Sequence, residues 1–385
     1  MKQSNTAEQS VRKVAKKSKR NVPVADQPLK ENSGPVTVGV DVGDKTSCYC
    51  VLDSCGEIIR EGSVPSTRKG MLEAFAAAAP CRIALEVGTH SPWISRLLKE
   101  CGHEVIVANA RQVKLISASS RKDDRMDARL LARLARADPK LLRPIRHRSA
   151  EAQLHLTQIR ARAVLVEART SLVNAVRGLV KAYGERVPVC DADQMGVEKL
   201  KELPVSLQEA LKPLLEQVSL LTEKIYEYNE RIEEIARNHY PETKLLQQVT
   251  GVGILIALTF VLTIEDAGRF ESSRDVGCYV GLRPKRSNSG EREPQLRITK
   301  EGDVYLRQLL VQGAHYIVSK RGPDTDLKRW GLKLAGTGDK NAKKRAVVAV
   351  ARKLAVLLHR LWVTGEVYEP LRNSEQPTRA GKKAA

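Results

Sequence analysis

Aromatic residues make up only 4% of this 385-residue chain, too few for a surface that stacks single-stranded bases on successive rings. Long apolar runs are missing as well. None approaches the roughly 18 residues that a membrane-spanning helix needs. The cysteines lack the paired spacing of a zinc site, since Cys48 and Cys50 stand one residue apart with no matching second pair. The seven of them (Cys48, Cys50, Cys55, Cys81, Cys101, Cys190 and Cys278) are odd in number and fall mostly in apolar patterns, so reduced, structural thiols are expected. No apolar segment follows the basic stretch from Arg12 to Arg20, which excludes a signal-peptide reading and predicts a cytoplasmic protein.

Acid is scarce relative to base: 45 Asp and Glu stand against 65 Lys and Arg, a formal net charge of +20. An excess of this size calls for a polyanionic partner, and nucleic acid is favoured over an anionic membrane surface. The length predicts two or three domains. Residues 1–34 are polar and basic and read as a disordered arm. From Pro35 the pattern runs strand, strand, strand, helix, strand, helix, strand, helix. This is the order of an RNase H-like α/β domain over 35–148. Two long helical stretches, 149–185 and 205–238, read as an antiparallel hairpin within a helical segment over 149–240. A mainly helical domain follows over 241–372, then a solvated tail over 373–385. Within that domain Gly251-Val252-Gly253 joins two helical patterns in the style of a helix-hairpin-helix, whose amides can hold a backbone phosphate. The stretch from Lys320 to Asp339 reads as a loop, and Tyr305 and Tyr316 as packing residues on a helix.

Four carboxylates stand out. Asp41 closes the apolar run Val36-Thr37-Val38-Gly39-Val40, and Glu86 closes Arg82-Ile83-Ala84-Leu85. Asp124 and Asp127 share a face at the start of a helix. Two strand-end acids and a helix-borne pair can cage a divalent ion, because magnesium takes hard oxygen ligands and two ions about 3.5 to 4 Å apart suit phosphodiester chemistry. The competing account of Asp124 and Asp127 is a solvated helix start. Asp44, Asp53 and Asp123 read as turn or surface acids, and His90 as a group able to orient a phosphate or simply to sit at a helix start. In the basic loop Gly281–Lys300, Ser289 precedes Gly290 among Arg292, Arg297 and Lys300. A hydroxyl there can attack phosphorus, although "SNSG" is also an ordinary turn. Ser287 is the alternative nucleophile.

Taken together, "VGVDVGDKTSCYCVLD", "IALEVGTHSPWI", "KDDRMDARLLARL" and "YVGLRPKRSNSGEREPQLRITKEGDVYLRQLLVQGAH" resemble the DEDD transposases of the insertion sequence 110 family, relatives of the Piv-type invertases. The resemblance runs from about Val36 to Leu371. It implies a RuvC-type catalytic domain, a coiled-coil segment and a C-terminal transposase domain. Asp41, Glu86, Asp124 and Asp127 match the family's acids, and Ser289 its serine nucleophile. Also implied are Mg2+ (two ions, with Mn2+ as a substitute), donor and target double-stranded DNA, a structured noncoding bridge RNA as guide, and a bacterial, nucleoid-associated setting. In the family the serine and acids of one site come from different subunits, so a dimer or tetramer is expected. Two other activities compete. A junction-resolving nuclease would use the same acids with water as nucleophile. An actin-like phosphotransferase is suggested by Asp41-Val42-Gly43 and Thr46, but the second phosphate loop it requires is not found. A nucleic-acid-binding protein without catalysis would not need the full set of acids.

Overall fold

A computed structural model describes residues 35–111, 123–290, 292, 294, 296–336 and 340–373. The arm predicted over 1–34 and the tail beyond Asn373 lie outside the described residues. The chain divides into two compact units, Met1–His147 and Arg148–Ala385.

The first unit is built on a five-stranded mixed sheet. Its strands are β1 (Thr37–Asp41), β2 (Thr46–Leu52), β3 (Ile58–Pro65), β4 (Arg82–Glu86) and β5 (Glu104–Ala108), in the order β3-β2-β1-β4-β5. β1 runs antiparallel to β2 and parallel to β4. Helices α1 (Arg68–Phe75) and α2 (Ser91–Glu100) cover one face, where Val38, Val40, Ile83 and Leu85 pack with Met71, Phe75, Ile94 and Leu98. The sequence pattern carries α1 on to Ala79, but the helix stops at Phe75. Pro80 disfavours helical backbone at the residue before it, and the last turn loosens ahead of it.

The alternate residues of the same strands, Gly39, Ala84, Cys50 and Leu52, face α3 (Asp124–Ala137), which lies on the other side. Gly39 is what allows this helix to lie so close. A Cβ there would stand 2.1 Å from the backbone oxygen of Ala128 and 2.4 Å from the nitrogen of Ala132. Gly39→Ala is therefore expected to push α3 off the sheet at a cost of about 3 kcal/mol, the upper range for an overpacked core. Gly88→Ala, where an added Cβ meets nothing within 4 Å, should change stability by less than about 0.5 kcal/mol. Urea unfolding of both variants tests this, and equal midpoints would refute the packing argument.

The second unit opens with α4 (Ala150–Leu179) and α5 (Val205–His239), packed antiparallel. Val173, Val176 and Val180 meet Leu207, Leu211 and Met195 at one end. At the other, Ala152, Leu156 and Ile159 meet Ile232, Ile235 and Ala236, together with Leu258 and Leu262. Of the apolar positions that recur with approximate helical spacing in the first helix, Leu154, Ile159, Val164, Val166 and Leu172, Ile159 is buried, whereas Leu154 and Val164 are 60% and 63% exposed. At this end the buried stripe is Ala152, His155, Leu156 and Ile159, at the i, i+3, i+4, i+7 spacing. A histidine occupies one of its places, and that hid the true phase.

The remaining helices are α6 (Thr243–Leu246), α7 (Ile254–Ile264), α8 (Ser273–Tyr279), α9 (Val304–Val318), α10 (Asp326–Ala335) and α11 (Lys340–Thr364). Phe260, Leu306, Leu310, Ala314, Val350, Leu354 and Leu358 form their common core. Gly251, at φ +87°, lets the turn before α7 rest on α9: a Cβ there would lie 3.0 Å from the backbone oxygen of Gly313. The stretch Lys320–Asp339 is not a plain loop, because α10 lies within it. Thr325 caps this helix by accepting from the Lys328 amide at 3.1 Å. Gly331 admits Val350 and Val318 to contact, so this glycine is a packing position within the helix. Tyr305 packs against the core as expected, whereas Tyr316 is 45% exposed. Among the described residues no helix is long and apolar enough to cross a membrane.

Candidate active site

Asp41 and Glu86 are the last residues of β1 and β4. The two strands are parallel neighbours with Val40 opposite Leu85, so the acids follow side by side at the strand ends. Side chains two apart on a strand share a face. Asp41 therefore takes the side of Gly39, Glu86 takes the side of Ala84, and both lie on the face that α3 covers. Both are half-buried.

α3 brings the second pair of acids. Asp123 caps it by accepting from the Arg125 amide at 3.1 Å, Asp124 is its first residue and Asp127 sits in its first turn. Because Ala128 lies over Gly39, this first turn is directed toward the end of β1. The thiol of Cys48, the cross-strand partner of Asp41, reports the proximity. It is pushed up first by burial and then by the charges of Asp124 and Asp41. Cys50 is pushed up to about 11 by burial above all, so both thiols are protonated at neutral pH and are poor nucleophiles. Asp127 is half-buried and Asp124 exposed. The fold gathers the acids at one end of the sheet but, among the described residues, does not draw three of their oxygens within 4.8 Å of one another.

The rim is held by ordinary polar contacts. The indole N–H of Trp93 donates to Nδ1 of His90 at 3.1 Å, which leaves the other ring nitrogen to carry a proton toward Asp44, 3.3 Å away. Both nitrogens are thus engaged. Ser91 donates to the Gly88 carbonyl at 2.9 Å, accepts from the Gly88 amide at 3.0 Å, and lies 2.8 Å from His147 Nε2, which fixes the turn after Glu86. Arg129 of α3 grips Glu61 of β3 through two hydrogen bonds, one of 2.6 Å. These bonds hold the Glu61 carboxyl below its usual range against the opposing effect of burial.

In the second unit the loop 281–300 folds back on itself. Pro284 bridges to Ile298 and Ser289 to Arg292. The Lys285 amide donates to the Arg297 carbonyl at 2.9 Å, and that of Thr299 to Arg283 at 2.8 Å. Gly290, at φ +57°, makes the turn, so Ser289 stands at the tip of an arm and Ser287 two residues back. Both serines are exposed. At the base of the arm Arg283, Lys285 and Arg286, with Thr299 and Glu301, line a cavity of about 410 Å³.

Residues 38–185 match the model of DEDD transposases of the IS110 family, and residues 243–328 match that of the transposase IS116/IS110/IS902 family. The two matches together span more than half of the chain. It belongs to the IS110 family of DEDD transposases. The transposase is 28% identical over 340 residues to the transposase for insertion sequence element IS1111A of Coxiella burnetii, an alignment covering 86% of this chain and 90% of that protein. It is 26% identical over 347 residues to the transposase for insertion sequence element IS1328 of Yersinia enterocolitica, covering 86% and 98%. The first match encloses Asp41, Glu86, Asp124 and Asp127, and the second encloses Ser289. Family membership makes this an enzyme of insertion-element transposition that acts on DNA and implies a divalent metal. The four acids fit such an ion, since they offer only hard oxygen donors on one face at one end of the sheet.

Proposed function

We propose that this transposase cuts and rejoins DNA with the Asp41, Glu86, Asp124 and Asp127 carboxylates as metal ligands and the Ser289 hydroxyl as nucleophile, guided by a structured noncoding RNA. The first unit is read as an RNase H-like domain of RuvC type. The observation that carries the reading is the placement of Asp41 and Glu86 side by side at adjacent parallel strand ends, beneath the helix turn that bears Asp124 and Asp127.

When bound, Mg2+ would supply the positive charge that makes a phosphodiester attackable. The four carboxylates would hold two such ions and set the position of the phosphate. Ser289 Oγ attacks phosphorus and loses its proton, the bond from phosphorus to one sugar oxygen breaks, and that oxygen takes up a proton. The phosphoserine link conserves the bond energy. A hydroxyl of the incoming strand then displaces the serine and restores it. The cations around Ser289 would neutralise flanking phosphates, and the excess of +20 suits two polyanions, the DNA and the guide RNA. Assembly as a dimer or tetramer belongs to the same reading.

Strand exchange by the full chain with Mg2+, element-end DNA and target DNA should appear when the noncoding RNA flanking the element is added, and fall to background without it. Exchange at full rate without RNA would remove the guide. Cleaved ends that are never joined, with or without RNA, would replace the recombinase by a nuclease that uses water.

A further inference from the structure

Outside the acids, one cluster has no part in the chemistry above. Glu151 and His155 stand one turn apart on α4, and the antiparallel packing brings His239, the last residue of α5, opposite them. Nδ1 of His239 lies 3.1 Å from Glu151 Oε1. The rings of His155 and His239 have centroids 5.0 Å apart, and one ligating atom from each of the three residues lies within 4.8 Å of the others. Tyr240 sets the orientation. Its hydroxyl is 3.0 Å from Nδ1 of His155, and its ring stands edge-on to that imidazole.

We propose that Glu151, His155 and His239 form a binding site for a divalent transition-metal ion of the zinc class, which ties α4 to α5 at the base of the hairpin. Two imidazoles and a carboxylate are a donor set for zinc rather than for magnesium, which takes oxygen ligands and keeps its waters. In a tetrahedral site with bonds near 2.1 Å, ligand atoms stand about 3.4 Å apart. Glu151 Oε1 and His239 Nδ1, 3.1 Å apart, are already close to that separation. The third ligand, buried His155, offers an atom within 4.8 Å of both, and Glu151 and His239, the two that would turn toward it, are exposed. With Nδ1 of His155 donating to the Tyr240 oxygen, Nε2 becomes the ligating nitrogen, the outer-shell arrangement that orients a metal-bound histidine. The field is favourable too. In a strongly basic chain this corner gathers acid, with Glu242 and Glu265 acting on the same Tyr240 as Glu151.

The bland alternative is a Glu151–His239 ion pair beside a buried histidine, and metal binding separates the two. The full chain, stripped with a chelator, is titrated with Zn2+ by calorimetry and with Co2+ by absorption. With Mg2+ in excess to occupy the carboxylate set, one equivalent is expected, with cobalt bands of nitrogen and oxygen ligation and no thiolate charge-transfer band. His239→Ala and Glu151→Gln, both at exposed positions, should each weaken binding at least about a hundredfold, and Tyr240→Phe about tenfold. Asp41→Asn should leave zinc affinity unchanged. A thiolate band, or equal affinity in His239→Ala, Glu151→Gln and wild type, would overturn the site, as would the absence of zinc binding in the wild-type chain.

Discussion

Asp41→Asn is expected to abolish strand exchange while leaving the unfolding midpoint close to wild type. The substitution keeps the size of the side chain and its place at the end of β1, on the α3 face, and removes only the charge. Loss of one preorganised charge-stabilising group costs about a hundred- to a thousandfold in rate. Asp41 is the central member of the proposed set, since β1 lies between β2 and β4 and Asp41 adjoins both Glu86 and Cys48. Glu86→Gln should act in the same way. Asp127 offers a sharper test of the helix-borne pair. If it only complements the positive end of α3, Asp127→Asn removes up to about 1 kcal/mol of stability and leaves exchange untouched, whereas a ligand role predicts the reverse. The measurements are product yield by gel, and circular dichroism to confirm the fold. Wild-type turnover in Asp41→Asn would remove the proposed metal site, whatever the stability result.

The strand-end acids were legible because a buried strand writes its faces alternately. In Val38-Gly39-Val40-Asp41 the valines mark one face and the glycine and aspartate the other, and the small residue announces the helix that passes over it. β5 and the order of elements in the first unit were legible for the same reason. Legibility failed where a residue serves a purpose unlike its usual one. Gly322, Gly331 and Gly336 made 320–339 look broken, yet Gly331 is the contact point of α10 with Val350 and Val318. Gly251 carries the pattern of a helix-hairpin-helix turn, and in the fold that turn also packs closely on Gly313. His155 was passed over because a polar residue at a core position reads as a gap in the stripe. Glu151 and His155 at i, i+4 were a usable signal, but His239 is joined to them only by the pairing of two long helices, and spacing within one helix cannot show that partner.

Ser289→Ala is expected to eliminate any covalent protein–DNA adduct, and Ser287→Ala to retain it. The two serines lie two residues apart on the same arm and both are exposed, so exposure does not distinguish them. Reach does. Two residues of extended chain span about 6.6 Å, while nucleophilic attack needs the reacting atoms about 3 to 3.5 Å apart, so an arm that delivers one hydroxyl to a phosphate leaves the other well short. Ser289 stands at the tip, where the turn through Gly290 offers it to a large partner with the least backbone in the way. Neither serine is buried, so either substitution should leave stability within about 0.5 kcal/mol of wild type and any loss of adduct can be read as chemistry. A denaturing gel of the full chain with Mg2+, element-end DNA and the flanking RNA gives the yield, and mass spectrometry of the nucleotide-bearing peptide locates the link. An adduct that persists in Ser289→Ala and vanishes in Ser287→Ala would move the nucleophile to Ser287. If both variants still exchange strands at the wild-type rate, no serine link lies on the pathway, and the carboxylates alone would have to activate a water or a sugar hydroxyl.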